Sequence, residues 1–299
     1  MRNIRRTAAF VFGIFLITAV CAYANDGPIY DYYELKRYST NGDLSGEGSW
    51  KTNEYIWYVH DVVQYKRKIY IVGDEGSFCS WSMKHGLFCT EKLQTGLKSG
   101  RLAIDSKGNY FYACQKDTLC LQKWNQQGKF QWARFSDYDV IDVVNISIDY
   151  DDNVIVVDHA ENTVNVHKFD NQGRLLWQYS INARIGNNKH SVQLDEKGNI
   201  YFAVCKYREH DVIPVLIILN SDGSVEKQIL MNETTGNYQI GPIVYDQEHG
   251  ISVTATDCNI DHCKLIVHKY TLEGELIWSD NKIFGPASNG DLLPKDYQS

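Results

Sequence analysis

The chain has no run of five basic residues and no surplus of positive charge, since 30 Lys and Arg stand against 37 Asp and Glu. Nucleic-acid binders work through clustered Lys and Arg that displace counterions from phosphates, so no nucleic-acid partner and no anionic membrane surface is expected. Also missing is a Gly-x-Ser-x-Gly elbow, the strained turn that presents a serine nucleophile. Beyond the N-terminal segment no stretch of ten residues reads as a convincing helix. Apolar residues are not scarce: at 43% of the chain, with 13% aromatic, they suffice for a large core and argue against disorder.

The N-terminus reads as an export leader. Arg2, Arg5 and Arg6 make a positive start, Ala8 to Val20 an apolar stretch, and Ala22-Tyr23-Ala24 a small-x-small cleavage site before Asn25. The apolar stretch would span roughly 20 Å as a helix, short of a hydrocarbon core about 30 Å thick, so a cleaved signal over residues 1–24 is expected rather than a spanning helix. Losing its three arginines takes the net charge from −7 to −10. The product is expected in the periplasm or outside the cell, probing no membrane with a span of its own and acting as a monomer.

Internal repeats organise the remainder. Asp105-Ser106-Lys107-Gly108-Asn109, Asp149-Tyr150-Asp151-Asp152-Asn153 and Asp195-Glu196-Lys197-Gly198-Asn199 each follow a short extended run and precede another. Asp bonds its own backbone in such turns, and Gly or Asn accepts a positive φ, so each unit predicts strand, tight turn, strand. On that reading Asp105, Asp149, Asp195 and Asp246 are turn formers. A second unit follows at a steady distance: Lys123-Trp124 to Gly128 and Trp132, Lys168-Phe169 to Gly173 and Trp177, Lys269-Tyr270 to Gly274 and Trp278. With weaker copies, the turn glycines fall at 42, 86, 128, 173, 223 and 274, at intervals of 44, 42, 45, 50 and 51 residues.

Four short strands in a repeat of about 45 residues predict an all-β fold, a β-propeller of about six four-stranded blades over residues 25–284, followed by a flexible tail over 285–299. A lone four-stranded sheet has two apolar faces to cover, and neighbouring blades cover them. An open β-sandwich is the alternative, but it does not require equal intervals. Tyr33 to Trp50 read as the second hairpin of a blade alone, expected to complete a ring with late strands near Ile283 and Phe284.

The Gly-x-x-x-Trp units at 128–132, 173–177 and 274–278 resemble the repeat of quinoprotein-like (PQQ-like) propellers, whose tryptophans dock adjacent blades. The Asp-x-x-Gly-Asn turns are similar to those of NHL and SBBP-type propellers. The likeness implies a fold and no activity. Gly86 and Gly223 lack the tryptophan four residues on, and the adjacent Cys-Cys pair of the quinoprotein alcohol dehydrogenases is absent, so no bound quinone is expected.

Cysteines occur in local couples. Cys79 and Cys89, Cys114 and Cys120, and Cys258 and Cys263 each flank a hairpin turn, and an oxidising compartment would join them as three disulfides. Cys205 is left odd, either a buried apolar residue or a partner for intermolecular pairing.

Function is expected on the face where second-to-third-strand loops and blade links gather. That face collects His60, Asp61, Asp142, Asp158, His159, Arg184, His190, Tyr207, Arg208 and His210. Tyr55, Trp57, Tyr58, Tyr138 and Tyr238 are expected as exposed aromatics near the same loops. Convergent polar and aromatic groups on a rigid scaffold predict a binding or scaffold module for an extracytoplasmic protein or glycan, with no cofactor. The alternative is a metal-dependent hydrolase resembling lactonase-like propellers, with calcium or zinc held in the central channel.

Overall fold

The computed structural model describes residues 15–20, 32–38, 44–51, 59–66, 68–73, 78–82, 86–90, 100–185, 192–208, 211–231, 238–258 and 263–284. All regular elements among them are β-strands. The chain divides into two compact units, Met1–Thr95 and Gly96–Ser299.

The first unit holds a three-stranded antiparallel sheet, β1 (Phe15–Val20), β2 (Tyr32–Tyr38) and β3 (Leu44–Lys51), and a four-stranded one, β4 (Val59–Tyr65), β5 (Lys68–Gly73), β6 (Phe78–Ser82) and β7 (Gly86–Thr90). Strand β1 lies inside the expected leader, with Phe15 opposite Arg37 and Val20 opposite Tyr32. Strands β2 and β3 form the hairpin expected from the repeat, with β1 added along β2 as a third strand. Tyr38 stands opposite Leu44 after a bulge, as Phe169 stands opposite Leu175 in a complete repeat.

The second unit contains four meanders: β8 (Gly100–Ile104), β9 (Tyr110–Lys116), β10 (Thr118–Trp124) and β11 (Phe130–Asp139); β12 (Asp142–Ile148), β13 (Val154–Ala160), β14 (Thr163–Phe169) and β15 (Leu175–Arg184); β16 (Val192–Leu194), β17 (Ile200–Arg208), β18 (Asp211–Leu219) and β19 (Val225–Leu230); and β20 (Tyr238–Asp246), β21 (Gly250–Cys258), β22 (Cys263–Tyr270) and β23 (Leu276–Phe284). They are called blades A to D below. Ile283 and Phe284 belong to the fourth strand of blade D, opposite Lys264 and Cys263. Blades B and C are further joined into one sheet by β15 and β17, through Ala183 opposite Lys206 and Arg184 opposite Cys205.

The inner strands are apolar on both faces because each face meets a different blade. In β13, Val154 and Val156 pack into the core shared with Ala103, Phe111 and Leu121 of blade A, while Ile155 and Val157 pack with Phe202 and Val204 of blade C. In β17, Ile200, Phe202 and Val204 face blade B, and Tyr201, Ala203 and Cys205 face Ile240, Val253 and Tyr270 of blade D. Period-two packing against two partners gives continuous apolar runs rather than alternation. The fourth strands differ. Strand β19 is exposed along nearly its whole length, and β11 and β15 are exposed at alternate positions.

The turns are repeated in atomic detail. In the first hairpin of blade A, Gly108 N–H donates to Asp105 O at 3.0 Å, and the Asp105 carboxylate accepts from the N–H groups of Lys107 and Asn109. Asp149 and Asp195 do the same in blades B and C. Asp152 takes the place of Gly108 with φ +61°, a conformation Asp tolerates better than most residues.

Second-hairpin glycines join blade to blade. Gly173 has φ +78°, and a Cβ there would lie 2.9 Å from the Trp132 ring of blade A; at Gly223 the Trp177 ring of blade B would lie 2.6 Å away. Each tryptophan thus covers the turn glycine of the next blade. Trp177 also donates Nε1–H to Ser221 O at 3.0 Å, and Arg134 donates Nε–H to Gly173 O at 3.0 Å. Blade C has no tryptophan to offer, and Ile229 and Lys227 cover Gly274 instead. The buried Lys168 adds to the seam after blade B, reaching Ser221 O at 3.1 Å and Asp149 Oδ2 at 2.9 Å.

Candidate binding cleft between two blades

A cavity of about 430 Å³ opens between blades A and B. Leu119 and Leu121 on β10 and Phe169 on β14 line it, together with Phe135 and Tyr138 on β11 and Leu175 on β15. Its polar corner is His167, on β14, which is 3% exposed.

Three side chains meet at that corner. Asp158, with no exposed surface, lies four residues into β13 and continues the Val154 and Val156 series toward blade A. Its Oδ2 accepts from Tyr138 O–H at 2.7 Å and stands 2.7 Å from His167 Nε2, while Oδ1 accepts from Asn165 Nδ2 at 2.8 Å. Tyr138 Oη also lies 2.7 Å from His167 Nε2, and Ser180 O–H donates to Asn165 Oδ1. Burial, and then the charge of Asp158 and the hydrogen bond to it, pushes the Tyr138 phenol far above its ordinary range, so it stays a donor. A buried carboxylate needs such partners, because desolvation without them is costly. The rings of Tyr138, His167 and Phe169 form a column, with centroids 6.1 and 5.9 Å apart and planes within 25°.

The other predicted site residues scatter. Asp142 and His159 are cross-strand partners on β12 and β13, half-buried, and His159 faces away from Asp158. Burial lowers the His159 pKa, against an opposing pull from Asp142 and Asp158, and its Nε2 is enclosed with no hydrogen-bond partner. Arg184 donates Nη2–H to Tyr238 O at 3.0 Å, bridging blades B and D. Tyr207 packs against the core between blades C and D, and Arg208 ends β17 exposed. Asp61 lies in the first unit, where its carboxylate accepts from Val62 N–H; His60 is placed on β4 as backbone only. His190 and His210 lie outside the described residues, as do Tyr55, Trp57 and Tyr58. Tyr238, expected among the exposed aromatics, is 2% exposed, because β20 is the first strand of blade D and turns that residue into the core. Asp158, expected on the solvent face, is instead sealed between blades.

Among the described residues, no group of three or more His, Cys, Asp or Glu side chains converges as a metal site. The cysteines require one correction. Cys114 and Cys120 stand opposite each other on β9 and β10, as expected, but both thiols are free. Cys114 S–H donates to Cys120 O at 3.2 Å, and Cys120 Sγ accepts from Gln122 Nε2 at 3.3 Å. The hydrogen bond with Cys120, together with burial, holds the Cys114 thiol protonated. Cys205 is free and 1% exposed, and burial raises it to about 11. Cys79 opposite Cys89, and Cys258 opposite Cys263, keep the expected register, and neither Cys79 nor Cys263 is among the free thiols.

His167 was the residue that repeat reading obscured. It sits inside the unit Val166-His167-Lys168-Phe169, where its equivalents are Gln122 and His268. The usable signal was Asp158, a carboxylate at a position filled by Cys114, Val204 and Ala255 in the other blades.

No family model matches the chain, and no curated protein matches it. Solved structures do. One is a protein of unknown function from Bacteroides caccae, 13% identical over 83% of this chain and 90% of that one, with a TM-score of 0.50. A streptogramin B lyase is 10% identical over 79% of this chain and 72% of its own, with a TM-score of 0.50. A quinonprotein alcohol dehydrogenase-like protein from Bacteroides thetaiotaomicron is 15% identical over 90% of this chain and 68% of its own, with a TM-score of 0.58. These likenesses show a propeller-type all-β fold. At such identity they carry nothing about activity.

Proposed function

We propose that the chain is an exported β-propeller of about six blades that acts as a binding module for an extracytoplasmic protein or glycan, with the cleft between blades A and B as its recognition site. The observation that carries the reading is a cavity of about 430 Å³ with buried apolar walls at Leu119, Leu121 and Phe169, the buried His167 beside them, and Arg134, Asp137 and Gln178 at its exposed edge. Ligand sites are commonly of this size and character, with few polar groups that set orientation. Cys79–Cys89 and Cys258–Cys263 are proposed as disulfide staples of the exported form, on the strength of their cross-strand register.

The test is a binding screen of the purified chain against extracytoplasmic protein and glycan panels, repeated with Phe135→Glu and Leu175→Glu. Both residues are exposed strand positions at the cleft, so the variants should fold. Binding that both variants abolish supports the reading. Binding that survives both places recognition elsewhere.

A further inference from the structure

We infer that the cleft receives a tyrosine or tryptophan side chain of a partner protein and takes its phenol O–H or indole N–H on Nδ1 of His167. The inference rests on the cleft being the binding site and adds the chemistry of what enters it.

Asp158 Oδ2 is the shared acceptor of Tyr138 O–H and of the His167 ring, 2.7 Å from Nε2. In the neutral imidazole this fixes the proton on Nε2 and leaves a lone pair on Nδ1. Nδ1 makes no protein hydrogen bond among the described residues, although the side chain is only 4% exposed and lines the cavity. An acceptor reachable from a cavity is satisfied by water until a ligand donor displaces it.

The remaining polar groups of the cleft ask for nothing at depth. Ser136 is already paired, accepting from Leu119 N–H at 3.0 Å and donating to Tyr138 O at 2.8 Å. Arg134, Asp137 and Gln178 are exposed. One acceptor among Leu119, Leu121 and Phe169 suits a flat apolar group with a single donor at its edge. A sugar ring would leave several hydroxyls against apolar walls, unpaired and costly.

The rim decides the source. Phe135 is 61% exposed and Leu175 is 47% exposed, on the fourth strands of adjacent blades. Both also line the cavity, so a small molecule inside it would cover only their inner edges, whereas a protein surface carrying the aromatic anchor would cover their outer faces as well, as interface anchors ringed by apolar contacts do.

The experiment titrates the full chain at about pH 8 with N-acetyl-tyrosinamide, N-acetyl-tryptophanamide, N-acetyl-phenylalaninamide and methyl β-glucopyranoside, read by saturation-transfer NMR. The two donor-bearing amides should bind about tenfold more tightly than the phenylalanine amide, and the glucoside should not bind. The margin is modest because water already serves Nδ1 in the free protein. His167→Phe should erase the difference. Should that variant fail to fold, the imidazole ¹⁵N spectrum of the wild type decides instead: N-acetyl-tyrosinamide must move the Nδ1 resonance toward its hydrogen-bonded position. Equal binding of tyrosine and phenylalanine amides, lost in Phe135→Glu, would overturn the role of Nδ1 and leave the cleft standing. Binding of the glucoside alone would overturn the aromatic ligand, and binding of no probe with protein capture unaffected by Phe135→Glu would remove the cleft itself.

Discussion

Gly128 and Gly173 occupy the same place in consecutive turns, with φ +76° and +78°, but differ in what surrounds them. Among the described residues no atom lies within 4 Å of a Cβ built on Gly128, whereas one on Gly173 meets the Trp132 ring. Gly128→Ala should therefore cost only the left-handed backbone penalty, about 1–2 kcal/mol. Gly173→Ala should cost about 1–3 kcal/mol more, because Trp132 must give way. Urea unfolding measures both, and equal losses would refute the docking of Trp132 on its neighbour. Protons act at this scale too. Burial lowers the pKa of His159, and burial with Lys264 lowers that of His268. The unfolded chain takes up these protons near the ordinary value of about 6.5, the folded chain only at lower pH, so acidification favours unfolding. Stability should decline as pH falls below about 6.5, and His159→Gln should flatten the decline; an unchanged slope would contradict the assignment.

At the scale of elements, the hairpins were the legible part of the sequence. Asp105, Asp149 and Asp195 hold their turns through carboxylate-to-backbone bonds that spacing alone predicts, because such bonds are local. The Gly-to-Trp spacing also gave the outer hairpins, though the partner of each tryptophan was visible only in three dimensions. What spacing could not supply was which face of a strand meets which blade. Asp158 and His159 are neighbours in sequence and look equally polar, yet strand alternation sends one into the sealed layer facing blade A, behind His167, and the other toward the opposite side. Register likewise set Cys114 against Cys120 without deciding whether the sulfurs bond. Alkylation of denatured but unreduced protein should label Cys114, Cys120 and Cys205, and label Cys79, Cys89, Cys258 and Cys263 only after reduction; a linked Cys114–Cys120 peptide would refute the free thiols. Lys168→Met tests the ion pair of β14. It strands the Asp149 carboxylate, 3% exposed, and should cost about 3 kcal/mol, near the lower limit for a broken buried pair, since backbone donors remain.

Across the whole molecule, burial grades from inner to outer strands. Strands β13 and β14 are almost wholly enclosed, while β19 is open and β15 half open. Amide exchange should follow that gradient, slowest in β13 and β17 and fastest in β19, as local opening free energies track enclosure. Uniform protection across all four strands of a blade would mean that blades open only as units.

The seams have a further consequence for how such a chain lengthens or shortens over generations. Each one is written half in a fourth strand and half in the succeeding loop, with a bare α-carbon as the receiving surface. Excising the 45 residues 129–173 would bring Trp177 four positions after Gly128, still aimed at Gly223. Loss of one copy would thus leave a tryptophan and a turn glycine at the same spacing, with no new joinery required.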